Sequence, residues 1–336
     1  MGISLAGYNA WPEDFEVSSP EALVNAYEQK RLAGSLVDRE ATEAYEATQP
    51  WTCDAMVHSF GLADFGKGKL STPFRSYMKL EKNAFSEAQV TGDCVSHYVR
   101  NCLDTNRAVE IDLLKQPEEW VAMGSSVPIY GDRGHGGQGA NCATLANFVV
   151  NESGLMFKQN YPQLGIDLTN YNSAVRLGIG WGRSGVPSAV VAEGKKYPAT
   201  RIIRVKSLEE ARDLMAAGYA SGGCSGYSFS STRDDWGVSQ RTAKGWSHAM
   251  AWTGFDDRPV VWQRYNDCLV HVSQSWGKWN GGGWNVADYG PAPIGGFWIL
   301  GRHARGMIES GWIAAVVDFA GPKKRDLPSY GAEAWA

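Results

Sequence analysis

One thiol, one imidazole and one carboxamide stand in an order that suits acyl transfer. Cys94 lies in Gly92-Asp93-Cys94-Val95-Ser96-His97. His248 follows 154 residues later, in Trp246-Ser247-His248-Ala249-Met250-Ala251. Gln274 comes 26 residues after that, in Val272-Ser273-Gln274-Ser275-Trp276-Gly277. The nucleophile of such a set is the thiolate, which a helix N-terminus and a nearby imidazolium favour by several pKa units. His248 would act as base and then as acid toward the leaving amine. Gln274 would accept the other ring N–H and fix the ring, with Trp276 covering that bond. The Cys94 N–H and the Gln89 side-chain amide are the candidate oxyanion donors.

These groups need a helix behind Cys94 and strands behind His248 and Gln274. Val95 to Ile111 supplies the helix, with Val95, Tyr98, Val99, Cys102 and Leu103 on one face. Short apolar runs at Met250–Phe255, Val260–Trp262 and Cys268–Val272 read as strands, and Asp256-Asp257 as a solvated turn. Ser18-Ser19-Pro20-Glu21 is a helix start, and Glu21 to Thr48 reads as helical with an interruption near Gly34. Ala63 to Thr72 reads as a loop, and the body is expected to begin near Pro73. Gly131 to Gly139 is a glycine-rich loop ahead of a second helix, Asn141 to Asn151. Ser207-Leu208-Glu209-Glu210 opens a further helix that Gly218 closes. Helices early and strands late place a cleft between two lobes.

The bulk numbers exclude several classes. Hydrophobic residues make up 43 % and charged residues 20 %, as in a globular protein with a sizeable core. A formal charge of −4 offers no global attraction for nucleic acid or an anionic membrane. No apolar run is long enough to span a bilayer. Met1 to Asp14 lacks a basic n-region and an apolar core, so no secretory signal is expected, and Ala6 breaks a myristoylation motif. The six cysteines form no CxxC pair. With Cys94 set aside, the other five read as buried free thiols of a reducing, cytoplasmic compartment. His97 and His135 lack the companions of a metal site, so neither metal nor organic cofactor is expected.

Five motifs, in order, resemble the papain-like cysteine peptidase family. Gln89-Val90-Thr91-Gly92-Asp93-Cys94 is similar to its nucleophile segment. Gly134-His135-Gly136-Gly137, ahead of Asn141 to Pro162, is similar to its substrate-binding glycine loop and following helix. His248-Ala249-Met250, Gln274-Ser275-Trp276-Gly277 and Gly296-Phe297-Trp298-Ile299 complete the set. The chain departs from the family at several points. Gln89 stands four residues before the cysteine instead of five. Val95 replaces an aromatic, and His97 replaces an apolar residue. Gln274 replaces an asparagine. Thr91 and His135 stand where the family has a disulfide. Residues 1 to 70 carry no recognisable inhibitory propeptide signature.

The resemblance implies an α+β, two-lobed papain-like fold. A helical lobe spans about 73–205 and a β-rich lobe about 206–320, after an N-terminal helical extension (1–72) and before an extended tail (321–336). It implies thiol-dependent hydrolysis of a peptide or protein substrate, by Cys94, His248, Gln274 and Gln89. Gly136, Gly137, Ser247 and Trp276 would line the substrate. The alternative is an inert scaffold on the same fold, assembled through its N-terminal helices and C-terminal tail, as in a phage virion component. Neither reading calls for a nucleic-acid or membrane partner.

Overall fold

A computed structural model describes residues 34–115, 119–199, 201–281, 285–286 and 289–317. The helix start at Ser18–Glu21 and the tail from Gly321 lie outside the described residues. Elements in chain order are β1 (Ser35–Leu36), α1 (Arg39–Thr48), α2 (Cys53–Ser59), β2 (Leu70–Ser71), α3 (Phe74–Leu80) and α4 (Cys94–Asp112). There follow α5 (Ser126–Gly131), β3 (Ala140–Asn141), α6 (Cys142–Asn147), α7 (Tyr171–Ser184), α8 (Ser188–Gly194), β4 (Arg201–Arg204), α9 (Leu208–Ala216) and β5 (Ser221–Ser225). Last come β6 (His248–Asp256), α10 (Pro259–Tyr265), β7 (Leu269–Ser273), β8 (Phe297–Leu300), α11 (Gly301–Ser310) and β9 (Trp312–Val317).

The main sheet is antiparallel, in the order β8-β7-β6-β5-β9-β4, with β2 pairing the far end of β6. Side chains alternate across a strand, and here the two faces meet different partners. Ala249 and Ala251 of β6, and Ala314 and Val316 of β9, share a core with Val95, Tyr98, Val99 and Cys102 of α4. Met250, Trp252, Ile313 and Ala315 face the other way, toward Leu208, Leu214, Met215, Met307 and Ile308 of α9 and α11. The face toward α4 is built of small residues, so the helix sits close. A Cβ on Gly222 of β5 would lie 2.5 Å from the Met250 carbonyl and 2.9 Å from the Tyr98 ring. Gly222→Val would therefore push α4 off the sheet.

The other side of α4 is buried as well, and Asp104 is paired there. Asp104 accepts from the Tyr77 hydroxyl (3.1 Å) and from Gly124 N (2.9 Å). Residues 34–72 share the cores of the body. The Tyr45 hydroxyl donates to Ile202 O at 2.7 Å, and Cys53, Met56, Val57 and Leu62 join the α9 side of the sheet. Near Gly34, where an interruption is expected, the chain forms the two-residue strand β1, and a helix starts at Arg39 with Asp38 accepting from Ala41 N; the earlier part of the expected helix lies outside the described residues.

Three expectations are corrected. Val260–Trp262 is helix, not strand. Pro259 starts the helix, Asn266 ends it in the left-handed region, and Val261 is its one buried residue, so a short apolar run misled on period. Asp256-Asp257 is not a solvated turn. Asp256 is fully buried between Arg258 (2.8 Å) and the Tyr289 hydroxyl (2.8 Å), and Asp257 accepts from Gly68 N and Trp262 Nε1. The cysteines other than Cys94 are not all free thiols. Cys142 and Cys224 form a disulfide with Cα atoms 6.4 Å apart, joining the start of α6 to β5. Spacing of 82 residues hides such a pair from the sequence, and its presence removes the basis for inferring a reducing compartment. Among the described residues, no helix is long and apolar enough to cross a membrane.

Candidate active site

Cys94 is the first residue of α4 and is fully buried. Its Sγ accepts the main-chain N–H of Ala249 at 3.3 Å. That amide follows His248, the first residue of β6, whose backbone pairs with Ser225. Gln274 directly follows β7, which is the next strand to β6, so both side chains start from one end of the sheet. The expected helix head, imidazole and amide are thus gathered at one place. A thiol-bearing helix laid on an antiparallel sheet, with these groups at the sheet's end, is a papain-like α+β arrangement.

His248 is held by packing. Its ring stacks on Trp276, with centroids 4.2 Å apart and planes at 22°. Trp246 meets Trp276 edge-on at 4.6 Å, and Trp279 closes the cluster at 5.6 Å from both. Burial disfavours the imidazolium and pushes the His248 pKa down to about 3. The nearby Gln274 side chain opposes the shift, and His97 adds to it. His248 is therefore a neutral base in this closed arrangement. Trp276 is itself fully buried, so here it shields the imidazole.

Gln89 sits on the strap that closes this end. Its main-chain N–H donates to Ser275 O at 2.7 Å, its Oε1 accepts from the Ser275 hydroxyl, and Ala88 bridges to Trp276. Its Nε2 donates to Thr91 O at 2.6 Å. The shortened spacing to Cys94 thus turns the amide back onto its own loop in this closed form. Gly136 and Gly137 lie in the loop between α5 and β3. Arg133 anchors that loop by donating to Gly137 O (2.9 Å) and to Gly178 O and Ile179 O of α7. A Cβ on Gly136 would lie 2.8 Å from Arg183 Nε.

Sequence reasoning passed over several residues here. Gln138 Oε1 accepts from the Thr91 hydroxyl (2.6 Å) and from Gly92 N (2.5 Å), tying the glycine loop to the Cys94 segment. Ser247, expected to line substrate, is covered. Its carbonyl accepts from Gly34 N (3.1 Å) and Ser35 N (3.0 Å), and its hydroxyl donates to Ser35 O (2.6 Å). On its other side β1 pairs with β3 in parallel, and Ala140 N donates to Gly34 O. Gly34–Leu36 thus bridges the two sides of the site, although residues 1 to 70 carry no propeptide signature. Main-chain hydrogen bonds leave no trace in residue types. His97 and His135 take separate partners: His97 lies against Asp93, and His135 Nδ1 accepts from Gly137 N. The position of His97 was legible, since three residues along a helix from Cys94 puts it on a neighbouring face.

No protein-family model matches the chain, and no curated protein matches it. Solved structures do. Xylellain, a cysteine protease from Xylella fastidiosa, is 13 % identical with a TM-score of 0.49, over 86 % of this chain and 92 % of that one. The proform of Amb a 11, a ragweed pollen allergen cysteine protease, is 13 % identical with a TM-score of 0.47, over 93 % and 75 %. Procathepsin B S9 from Trypanosoma congolense is 12 % identical with a TM-score of 0.43, over 86 % and 87 %. The chain is similar to these proteases at the level of fold.

Proposed function

We propose that the chain is a papain-like, thiol-dependent amide hydrolase whose substrates are peptides or proteins. The observation that carries this reading is the seat of Cys94: at the head of α4, with its sulfur on the N–H next to His248. Cys94 Sγ attacks the scissile carbonyl carbon while its proton passes to His248. The resulting oxyanion takes donation from the Cys94 N–H and from Gln89, once the Gln89 amide turns from Thr91. Collapse breaks the C–N bond, and the leaving amine takes the proton from His248. Water then attacks the thioester, gives its proton to His248, and the thiol is restored as the acid departs. Gln274, beside His248, orients the ring by accepting its other N–H once the site opens. An extended substrate would lie by Gly136, Gly137 and Ser247; Gly34–Leu36 now lies on Ser247, so β1 must leave it first.

A second reading, an inert scaffold on the same fold, draws on the complete burial of Cys94 and His248. One experiment separates the two. Cys94 alkylation by iodoacetamide is followed against pH by mass spectrometry, in wild type and in His248→Ala. The hydrolase reading expects reaction well below the range of a free thiol, lost in the variant. A free-thiol profile in both chains, or no reaction in either, would leave the scaffold.

A further inference from the structure

Aspartate ahead of a helix ordinarily caps it, its carboxylate accepting from an N–H of the first turn. Asp93 does not: it precedes α4 but makes no side-chain cap bond. Its Oδ2 instead accepts from the Tyr171 hydroxyl at 2.8 Å, on α7. The Tyr171 oxygen accepts from Val90 N at 3.2 Å, which keeps its proton aimed at Asp93. His97 Nε2 lies 3.3 Å from the same Oδ2. Arg100 Nη2 lies 3.2 Å from His97 Nδ1. A guanidinium only donates, so Nδ1 is the acceptor and Nε2 carries the proton, in contact with Asp93 Oδ2 but outside hydrogen-bond geometry. The rings of His97 and Tyr171 meet edge-to-face at 5.0 Å, which fixes both. Asp93 is fully buried, and among the described residues its Oδ1 takes no hydrogen bond.

We propose that Tyr171 and His97 are positioning residues that hold the Asp93 carboxylate off the head of α4, leaving the positive end of that helix to the Cys94 thiolate. The proposal rests on the reading of Cys94 as a nucleophile. A carboxylate swung onto the first-turn amides would neutralise the helix end and set a like charge beside the thiolate, raising the thiol pKa. Other charged or titratable groups around the cluster are Arg100 on α4, Glu87 ahead of it, Lys158 on Glu87, Tyr130 and Arg133 at the end of α5, and His248 on β6. The Tyr171 hydroxyl supplies the hydrogen bond to Asp93 Oδ2 and the His97 ring packs against the same oxygen, so the restraint falls on Tyr171 and His97.

The test is the pH midpoint of Cys94 alkylation by iodoacetamide, read in the full chain. Chains compared are wild type, Tyr171→Phe, His97→Gln, and each variant combined with Asp93→Asn. The midpoint, not the amplitude, is the readout, so changes in access do not enter. Tyr171→Phe should raise the midpoint by about one unit, a roughly tenfold slower reaction on the acid side. Asp93→Asn added to it should restore the wild-type midpoint, which no general loosening of the fold would do. Tyr171→Phe keeps the ring and its packing; should His97→Gln fail to fold, the tyrosine pair decides alone. An unchanged midpoint in Tyr171→Phe, or a raised one that Asp93→Asn does not rescue, overturns the proposal while the hydrolase reading stands. A wild-type midpoint indifferent to His248→Ala overturns both, and so marks the failure of the underlying reading.

Discussion

The sulfur of Cys94 accepts the N–H of Ala249 at 3.3 Å, although 155 residues separate them in the chain. Small residues make this approach possible: Ala249, Ala251 and Gly222 leave α4 room to lie against the sheet. The thiol is thereby seated beside the backbone that carries His248, and four consequences can be measured.

Gly34 and Ser35 both donate to Ser247 O. Ser35→Pro removes one donor and forbids the paired geometry. Iodoacetamide should then reach Cys94 about tenfold faster at a fixed pH, corresponding to roughly 1.4 kcal/mol of lost closure, in the range of a hydrogen bond. Amide exchange at Gly34 should quicken in parallel. Wild-type alkylation kinetics in a folded Ser35→Pro chain would show that β1 does not control access.

Gln274 opposes the burial that keeps His248 neutral. In Gln274→Ala the ring loses that restraint while keeping its packing on Trp276 and Trp246. Thiol-dependent turnover should fall by about a hundredfold, the cost of a misplacement of roughly 1 Å at a reacting group. Undiminished turnover would assign the orienting role elsewhere.

Burial pushes both His248 and His271 from the ordinary 6.5 down to about 3. Below pH 6.5 the unfolded chain binds protons that these folded imidazoles refuse. Stability is therefore fully present above about pH 6.5 and lost as pH falls toward 3, by up to ~1.4 kcal/mol per pH unit for each ring. Urea midpoints at pH 7, 6 and 5 should fall in that order, and His271→Gln should flatten the slope. A level profile over this window would contradict the burial.

Cys142 and Cys224 pair across 82 residues, and Cys53, Cys94, Cys102 and Cys268 remain as thiols. Denatured without reductant, the chain should titrate as four thiols, and as six after reduction. Cys142→Ser with Cys224→Ser should cost roughly 2–5 kcal/mol. Six thiols without reductant would remove the disulfide from the native fold.

Much of this was legible in the residues. The α4 face, the strands β6 and β7, and the order of Cys94, His248 and Gln274 follow from helical and strand periodicity and from the side-chain chemistry each needs. The Ser207 cap is seen as expected, with Glu210 N donating to its hydroxyl, and Gly218 takes the positive φ that closes the turn. What periodicity could not decide was period itself in a short apolar run, as α10 shows, and the burial of charged groups, as Asp256 shows. Arg258 and Tyr289 reach Asp256 only once the chain has folded. The remaining features belong to the tertiary structure alone. The Cys142–Cys224 bond, the Gln138 tie and the seat of Gly34–Leu36 on Ser247 depend on which distant groups come within about 3 Å. Backbone N–H and C=O groups, which nearly every residue shares, make several of those contacts, so the residue types that position the chemistry can be read in order while the contacts that cover it cannot.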